Sequence, residues 1–308
     1  MRISLMRPLA TALAAFAVGT AVAAADGPVR IALTFDDLPA HSVLPPGASR
    51  VEVARQLIAA LQAAGAPPVY GFVNGVLLER EPDSAAVLDL WRAAGWPLGN
   101  HTFSHPNLNA VGPEAFEADV VRNEPLLEAK MAGADWRWLR FPYLAEGRTS
   151  EDRAAVRRFL AGRGYHIASV TMSFDDYAFN EPYARCAAKG AEAAIALLEA
   201  AYLQWAGESL DYSRALSHAA FGRDIPYVLL MHEGAFDARM APRLLALYRR
   251  RGAEFISLPE AERDSFYAAD LASAPTLLPL SLDTAARMHG AAVPPRPWDP
   301  AVLDKICR

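Results

Sequence analysis

Residues 29–37 read Val-Arg-Ile-Ala-Leu-Thr-Phe-Asp-Asp, an apolar run that ends abruptly in two adjacent carboxylates. Such a run is typical of a buried parallel strand, because a strand covered on both faces has few polar positions. A helical pattern follows over residues 49–64, with Ser49 as its N-cap and Gly65 as its stop. This strand and helix form the first unit of a pattern that repeats along the chain.

The alternation of strand and helix continues to residue 257. The further predicted strands cover residues 68–73, 96–100, 136–141, 165–172, 225–231 and 253–257. The further predicted helices cover residues 83–94, 113–131, 150–161 and 240–251, with a mostly helical insertion at about 181–216. Six or seven such units predict parallel strands wound in one direction, and they favour a barrel over an open sheet.

Polar residues suited to catalysis directly follow the predicted strands. They are Asp36 and Asp37, His101 and His105, Arg140 to Tyr143, Asp176, and His232. In barrels of parallel strands the C-terminal strand ends carry the chemistry, whereas unrelated surface charges would scatter over both ends. The sequence therefore predicts one site at this end of the barrel.

His101 and His105 can both reach one metal ion if the backbone makes a single turn between them. Pro106 disfavours a long helix here, so we expect a turn at a strand end. Two histidines and one carboxylate leave an open position on a divalent metal, as a catalytic site requires. Because successive side chains at a strand end diverge, we assign Asp37 to the metal and Asp36 to proton abstraction.

An acid and two charged partners complete the predicted site. His232 is the candidate acid for the leaving group, and we expect Asp176 to keep it protonated through an ion pair. We expect Arg140 to hold Asp36 in place and ionised, since a nearby cation favours the charged form of a carboxylate. Such an acid and base are what hydrolysis of an amide or ester requires.

Four motifs at these positions resemble those of the NodB-type polysaccharide deacetylases, carbohydrate esterase family four, which remove acetyl groups from amino sugars or xylan. The matching segments are Thr34-Phe35-Asp36-Asp37 for T-F-D-D, His101-Thr102-Phe103-Ser104-His105 for H-[ST]-x-x-H, Arg140-Phe141-Pro142-Tyr143 for R-x-P-[YF], and Leu230-Met231-His232 for L-x-H. Their order and spacing agree with the family over about residues 29–258.

The resemblance implies a distorted (β/α)7, TIM-like barrel and one divalent metal ion on Asp37, His101 and His105. Zinc is the expected ion, with cobalt, nickel or manganese as alternatives. The resemblance also implies that the backbone N–H of Tyr143 helps to hold the oxyanion. Leu230 would line the pocket for the acetyl methyl group, or it could equally be a residue of the barrel core.

The sequence departs from the family's pattern at two places. Leu38 and Pro39 follow T-F-D-D where the family has glycine, so the loop over the metal is expected to differ. The fourth motif, D-x-x-D-W, is only partly present in residues 173–177. Asp176 is its best match, with Asp175 as a rival.

Aromatic residues near the strand ends predict a surface for sugar stacking, made of Tyr143, Tyr177 and Phe72. Four further histidines carry no partner signature and are interpreted as surface or satisfied core residues. They are His41, His166, His218 and His289.

Residues 1–25 have a positive start, an apolar stretch and an A-x-A site, which are typical of a signal peptide cleaved near Ala25. A membrane anchor is the alternative, but the apolar stretch is short for a span. We therefore expect a periplasmic or secreted protein without a stable membrane anchor after cleavage. In such a compartment Cys186 and Cys307 can pair, or they can remain free thiols.

The predicted domain organisation follows from these segments. A deacetylase-like catalytic barrel covers residues 26–258 and carries the helical insertion at about 181–216. Residues 259–308 form a C-terminal extension packed on the barrel. The insertion and the extension lie outside the family's minimal pattern, and both could shape the substrate cleft.

The predicted function is that of an exported metal-dependent hydrolase that removes N- or O-acetyl groups from a carbohydrate containing N-acetylglucosamine. The formal net charge of −5 offers no electrostatic surface for nucleic acid. Two alternatives remain: a hydrolase of a non-sugar amide or cyclic imide on the same barrel, and a non-catalytic carbohydrate-binding homologue. The sequence indicates no oligomeric state.

Overall fold

Seven parallel strands form the centre of the computed structural model, counted over residues 27–308, which are the residues it describes. They are β1 (Val29–Leu38), β2 (Tyr70–Val73), β3 (Leu98–Asn100), β4 (Trp138–Leu139), β5 (His166–Ile167), β6 (Tyr227–His232) and β7 (Ala253–Ile256). The predicted signal peptide, residues 1–25 with cleavage near Ala25, lies outside the described residues. The predicted apolar run of β1 is buried along most of its length.

Helices connect the strands. They are α1 (Arg50–Ala63), α2 (Val76–Arg80), α3 (Ala85–Ala93), α4 (Leu108–Val111), α5 (Pro113–Met131), α6 (Ser150–Gly162), α7 (Asn180–Ala188), α8 (Glu192–Phe221), α9 (Ala235–Arg250), α10 (Leu258–Ala261), α11 (Ala268–Leu271) and α12 (Leu282–Met288). The predicted cap of α1 is confirmed, because the Ser49 hydroxyl accepts a hydrogen bond from the Glu52 N–H at 3.2 Å. α5 begins and ends where predicted, and Pro125 lies inside it.

The strands pair in the order β5-β4-β3-β2-β1-β6, and β7 pairs with β1 from Val29 to Ala32. A parallel bridge between Met172 and Leu229 of β6 joins the chain after β5 to β6 and closes the ring. The predicted distorted (β/α)7, TIM-like barrel is therefore confirmed.

The barrel is distorted after β5. The prediction of a strand over residues 165–172 is wrong beyond Ile167, where β5 ends. The Val228 N–H donates to the Thr171 hydroxyl at 2.8 Å, and the N–H groups of Thr171 and Met172 share the Val228 carbonyl, each at 3.1 Å. A side chain thus replaces part of the strand ladder. The irregular segment that results lines a cavity at the strand ends.

The predicted helical insertion, about residues 181–216, consists of α7 and the 30-residue α8. In the C-terminal extension, α12 packs on α8. A disulfide joins Cys186 of α7 to Cys307, so the pairing that the sequence left open ties the end of the chain to the insertion. Among residues 27–308 no helix combines the length and apolar character needed to cross a membrane.

Candidate active site

The two aspartates that end β1 have different surroundings. Asp36 still pairs in register with His232 of β6, and its side chain is buried against Arg140. Asp37 has a φ of 61°, a left-handed conformation that is uncommon for residues other than glycine. Its carboxylate lies against His41 and against His105. The change of backbone conformation therefore turns Asp36 toward Arg140 and Asp37 toward His41 and His105, while Nε2 of His101 lies 3.6 and 3.5 Å from the two carboxylates.

Asp37, His101 and His105 come together as one group of possible metal ligands. Oδ1 of Asp37 lies 3.5 Å from Nε2 of His101 and 3.5 Å from Nε2 of His105. One ligand atom from each of the three residues lies within 4.8 Å of the others. Tetrahedral zinc, with bonds of about 2.0–2.2 Å, separates its ligand atoms by roughly 3.3–3.6 Å. The spacing of these atoms therefore fits a zinc-sized cation.

The proton positions also fit a cation. Nδ1 of His101 lies 2.7 Å from the carbonyl oxygen of Arg140. A carbonyl only accepts, so Nδ1 carries the hydrogen and Nε2 turns its lone pair toward Asp37. Burial is the main cause that lowers the pKa of His105, to about 4. The His105 imidazole is therefore neutral near pH 7, as a ligand must be.

Buried amides hold the turn that carries the two histidines. The segment between them is a turn rather than a helix, and the sequence prediction on this point is confirmed. The side-chain amide of Asn74 donates to the carbonyls of His101 and Thr102. The Thr102 N–H donates to the side-chain oxygen of Asn100 at 2.8 Å. These contacts fix the turn against β2 and β3.

Arg140 and Asp36 form a buried ion pair. Nη1 of Arg140 donates to both carboxylate oxygens of Asp36, at 3.1 and 3.2 Å. Nη2 donates to the Thr34 hydroxyl at 3.0 Å, and Nε donates to the Ala168 carbonyl at 2.7 Å. Oδ2 of Asp36 lies 3.6 Å from Nε2 of His101. Asp36 is thus held beside the group of possible metal ligands.

His232 lines the cavity at the strand ends and is held by the buried carboxylate of Asp176. Oδ1 of Asp176 lies 3.1 Å from Nδ1 of His232, and Oδ2 accepts the backbone N–H of His232 at 2.7 Å. Burial lowers the pKa of His232, but the charge of Asp176 and its hydrogen bond outweigh burial and raise the pKa to about 10. The rival residue Asp175 instead accepts from Nε1 of Trp298 at 2.8 Å.

His41 is a site residue that the sequence analysis missed. Its Nδ1 lies 2.9 Å from Oδ2 of Asp37, and its ring centroid lies 4.6 Å from that of His232. Burial raises the pKa of Asp37, but the His41 hydrogen bond and the positive charge of His232 hold it well below its usual range. From the sequence His41 is interpreted as a surface or satisfied histidine without a partner signature, and the structure gives it Asp37 as its partner. The sequence feature that could have identified His41 is its position four residues after Asp37. In the structure the Ala40 N–H donates to the Asp37 carbonyl at 3.0 Å, and this tight turn brings His41 back to Asp37.

The predicted substrate-binding residues lie in different settings. The Tyr143 side chain is 66% exposed and its ring contacts His105, while Tyr177 is 44% exposed and its ring contacts His232. Phe72 is fully buried beneath the Arg140 guanidinium, so its prediction as a stacking surface is wrong. Leu230 lies on β6 and lines the cavity.

The cavity that holds these groups has a volume of about 620 Å³. One part of its wall is made by the strand-end residues described above. The rest comes from the helical insertion and the C-terminal extension. This second part, which we call the α8–tail wall, consists of Tyr212, Ser213, Leu216, Ser281, Leu282, Asp283 and Arg296.

Comparison with known sequences points to one family. A model for the family described as polysaccharide deacetylase matches residues 24–159. A chitin deacetylase of Colletotrichum lindemuthianum is 28% identical over 170 residues, which cover 54% of this chain and 60% of that protein. A chitin deacetylase of Pestalotiopsis sp is 26% identical over 160 residues, covering 52% of this chain and 47% of that protein. The chain thus spans about half the length of the curated relatives it matches.

Solved structures support the fold. The chitin deacetylase from Colletotrichum lindemuthianum matches with a TM-score of 0.52 and 21% identity, over 76% of this chain and 88% of that one. A carbohydrate esterase family 4 pseudoenzyme from Bacillus anthracis matches with a TM-score of 0.53 and 14% identity, over 76% of this chain and 65% of that one. The predicted resemblance to the NodB-type polysaccharide deacetylases is therefore confirmed, and residues 24–159 carry the match to the polysaccharide deacetylase family.

Proposed function

We propose that the protein is an exported, metal-dependent hydrolase that removes acetyl groups from a carbohydrate containing N-acetylglucosamine. One observation carries the proposal. A group of three possible metal ligands, a buried carboxylate held by arginine, and a histidine held by a second carboxylate all face one cavity. Binding of a sugar alone needs no such pair of a base and an acid.

Asp37, His101 and His105 would hold one divalent ion. Two imidazole nitrogens and one carboxylate oxygen suit zinc, with cobalt, nickel or manganese as alternatives, and they leave a position open. An ion bound there would polarise the acetyl carbonyl and lower the pKa of the attacking water. His41 would orient Asp37 by holding its second oxygen, at 2.9 Å.

Asp36 would act as the base. It takes a proton from the attacking water as the oxygen of that water bonds to the acetyl carbon. Arg140 fixes the position of the carboxylate through its two contacts at 3.1 and 3.2 Å. The backbone N–H of Tyr143, at the cavity rim, would donate to the oxygen on which negative charge develops.

His232 would act as the acid. As the carbon–nitrogen bond breaks, its proton passes to the sugar nitrogen, so the products are acetate and a free amine. Asp176 holds the ring through Nδ1, which leaves Nε2 to face the leaving group. Leu230 would contact the acetyl methyl group, and the exposed rings of Tyr143 and Tyr177 would stack on sugar faces.

Two observations support export. Residues 1–25 have the pattern of a signal peptide. The disulfide between Cys186 and Cys307 suits an oxidising compartment such as the periplasm or the exterior of the cell. The carbohydrate is the proposed partner.

The test is release of acetate by the zinc-loaded protein. We expect release from tetra-N-acetylchitotetraose, less from acetylxylan, and no opening of a cyclic ureide, which stands for the competing non-sugar substrates. Asp36→Asn should lower turnover by about 10²–10⁴-fold while the sugar still binds. Ring opening of the ureide without acetate release would refute the proposal, and undiminished turnover by Asp36→Asn would refute the assignment of the base.

A further inference from the structure

The α8–tail wall covers one side of the cavity. Ser213, Leu216 and Leu282 line the cavity, yet they are only 4%, 2% and 2% exposed. These three side chains are therefore packed within the wall, which leaves no open gap between α8 and α12 on this side of the cavity. Arg296 is the exposed member of the wall and lies 3.7 Å from Asp175, on the segment that follows β5.

Three contacts fasten this wall. Oη of Tyr212 donates to Oδ1 of Asp283 at 2.8 Å, which joins α8 to the beginning of α12. Nε1 of Trp298 donates to Oδ2 of Asp175 at 2.8 Å, which joins the extension to the segment after β5. The Cys186–Cys307 disulfide holds the end of the chain on α7. The extension is therefore fixed across the site at widely spaced points.

A second cavity, of about 410 Å³, meets the first on another side. The two cavities share His41 and Tyr177. The second cavity is also lined by α7 and by residues 300, 301 and 304 of the extension, but by none of the seven residues of the α8–tail wall. A ligand longer than the first cavity can therefore continue past His41 and Tyr177 into the second cavity, whereas the packed side chains of the α8–tail wall close the first cavity on its own side. A volume of about 620 Å³ falls within the ~300–1,000 Å³ of pockets that enclose a small ligand.

We propose that the α8–tail wall makes the site specific for a chain end or a short oligosaccharide, and excludes the interior of a polymer. The inference rests on the proposed deacetylase function and adds the class of substrate to it. A sugar unit inside a linear polymer has further units on both sides, and the chain must leave the site in two directions. The wall blocks one of them, so that only a terminal or near-terminal unit brings its acetyl group to His232 and to the metal-binding residues.

The first test uses the unaltered zinc-loaded protein. Tetra-N-acetylchitotetraose and soluble glycol chitin are offered at equal concentrations of acetyl groups, and the deacetylated unit of the tetramer is located by mass spectrometry. We expect deacetylation at one terminal unit and a rate per acetyl group at least about tenfold lower on the polymer. Deacetylation of interior units, or equal rates on the two substrates, would overturn the inference and leave the proposed function standing. Absence of acetate from every sugar would instead refute the proposed function, and the inference with it.

The second test opens the wall. Trp298→Ala combined with Cys307→Ser removes two of the three fastenings, and Val302→Ala on the same segment is the control, since that side chain is 54% exposed and makes none of them. We expect the opened variant to raise the ratio of polymer to tetramer rates by roughly tenfold, and the control to leave it unchanged. An unchanged ratio in a folded opened variant would overturn the inference. If circular dichroism shows that the opened variant is unfolded, the inference is judged by the first test alone, through the position of the deacetylated unit in the tetramer.

Discussion

Replacing Arg140 by methionine should destabilise the metal-free protein strongly. The side chain is fully buried and donates to Asp36, Thr34 and the carbonyl of Ala168. Methionine keeps much of the volume above Phe72, so the cost comes mainly from the buried carboxylate and carbonyl that lose their donors. Breaking a buried ion pair from one side costs about 3–5 kcal/mol, whereas an exposed pair contributes only ~0–1 kcal/mol. We therefore expect Arg140→Met to lower the free energy of unfolding by about 3–5 kcal/mol.

The assay is urea unfolding near neutral pH, followed by circular dichroism in the presence of a chelator. The double variant Asp36→Asn/Arg140→Met removes the unpaired charge and should recover about 2 kcal/mol of the loss. Arg140→Lys keeps the charge without the planar set of donors. Its free energy of unfolding should lie between that of the unaltered protein and that of Arg140→Met. A loss below about 1 kcal/mol, or a double variant no more stable than Arg140→Met, would show that the pair is not the buried contact described here.

Three further predictions concern the surroundings of the site. Because His232 has a pKa raised to about 10, its ion pair stabilises the metal-free protein below pH ~6.5, and this stabilisation is lost as the pH rises through ~10. Asp176→Asn should abolish that pH dependence in urea unfolding and lower turnover by about 10²–10⁴-fold. His41→Ala should weaken zinc binding by about 10–100-fold in a chelator competition assay, because the second oxygen of the carboxylate ligand loses its partner. Replacing Cys186 and Cys307 by serine should cost about 2–4 kcal/mol in thermal unfolding, since the disulfide spans 121 residues.

Each of these predictions has a contradicting result, and the zinc-binding prediction has a matched control. His289→Ala changes an exposed histidine whose ring contacts Phe221, so its zinc affinity should equal that of the unaltered protein. Equal affinity in His41→Ala would mean that this residue does not orient the ligand. Stability that still falls between pH ~6.5 and ~10 in Asp176→Asn would assign the titration to another group. An unchanged melting temperature in the serine variant would show that the extension is held without its disulfide.

The sequence was sufficient for the barrel and for the positions of the motifs. Strand ends in a parallel barrel share one edge, so Asp36, His101 and His232 could be assigned to that edge from periodicity alone. The prediction that His101 and His105 lie on a turn required only the proline that follows them. These inferences depend on patterns among residues close together in the sequence, and such patterns can be read without knowledge of the tertiary structure.

The parts that the sequence did not predict depend on contacts between distant segments. The strand predicted over residues 165–172 is apolar enough to be a strand, but the Thr171 hydroxyl takes the place of a backbone partner at Val228. His41 reaches the site through a turn that no periodic pattern describes. The α8–tail wall joins residues about seventy positions apart, as in the contact of Tyr212 with Asp283.

The most direct test of the central claim is the stoichiometry and affinity of zinc binding. We expect one zinc ion per chain in the unaltered protein, measured by elemental analysis after dialysis. Asp37→Ala, His101→Ala and His105→Ala should each weaken the affinity by at least about 100-fold in competition with a chromophoric chelator, while remaining folded by circular dichroism. Retention of one tightly bound ion by all three variants would contradict the account, because the metal would then lie elsewhere in the chain.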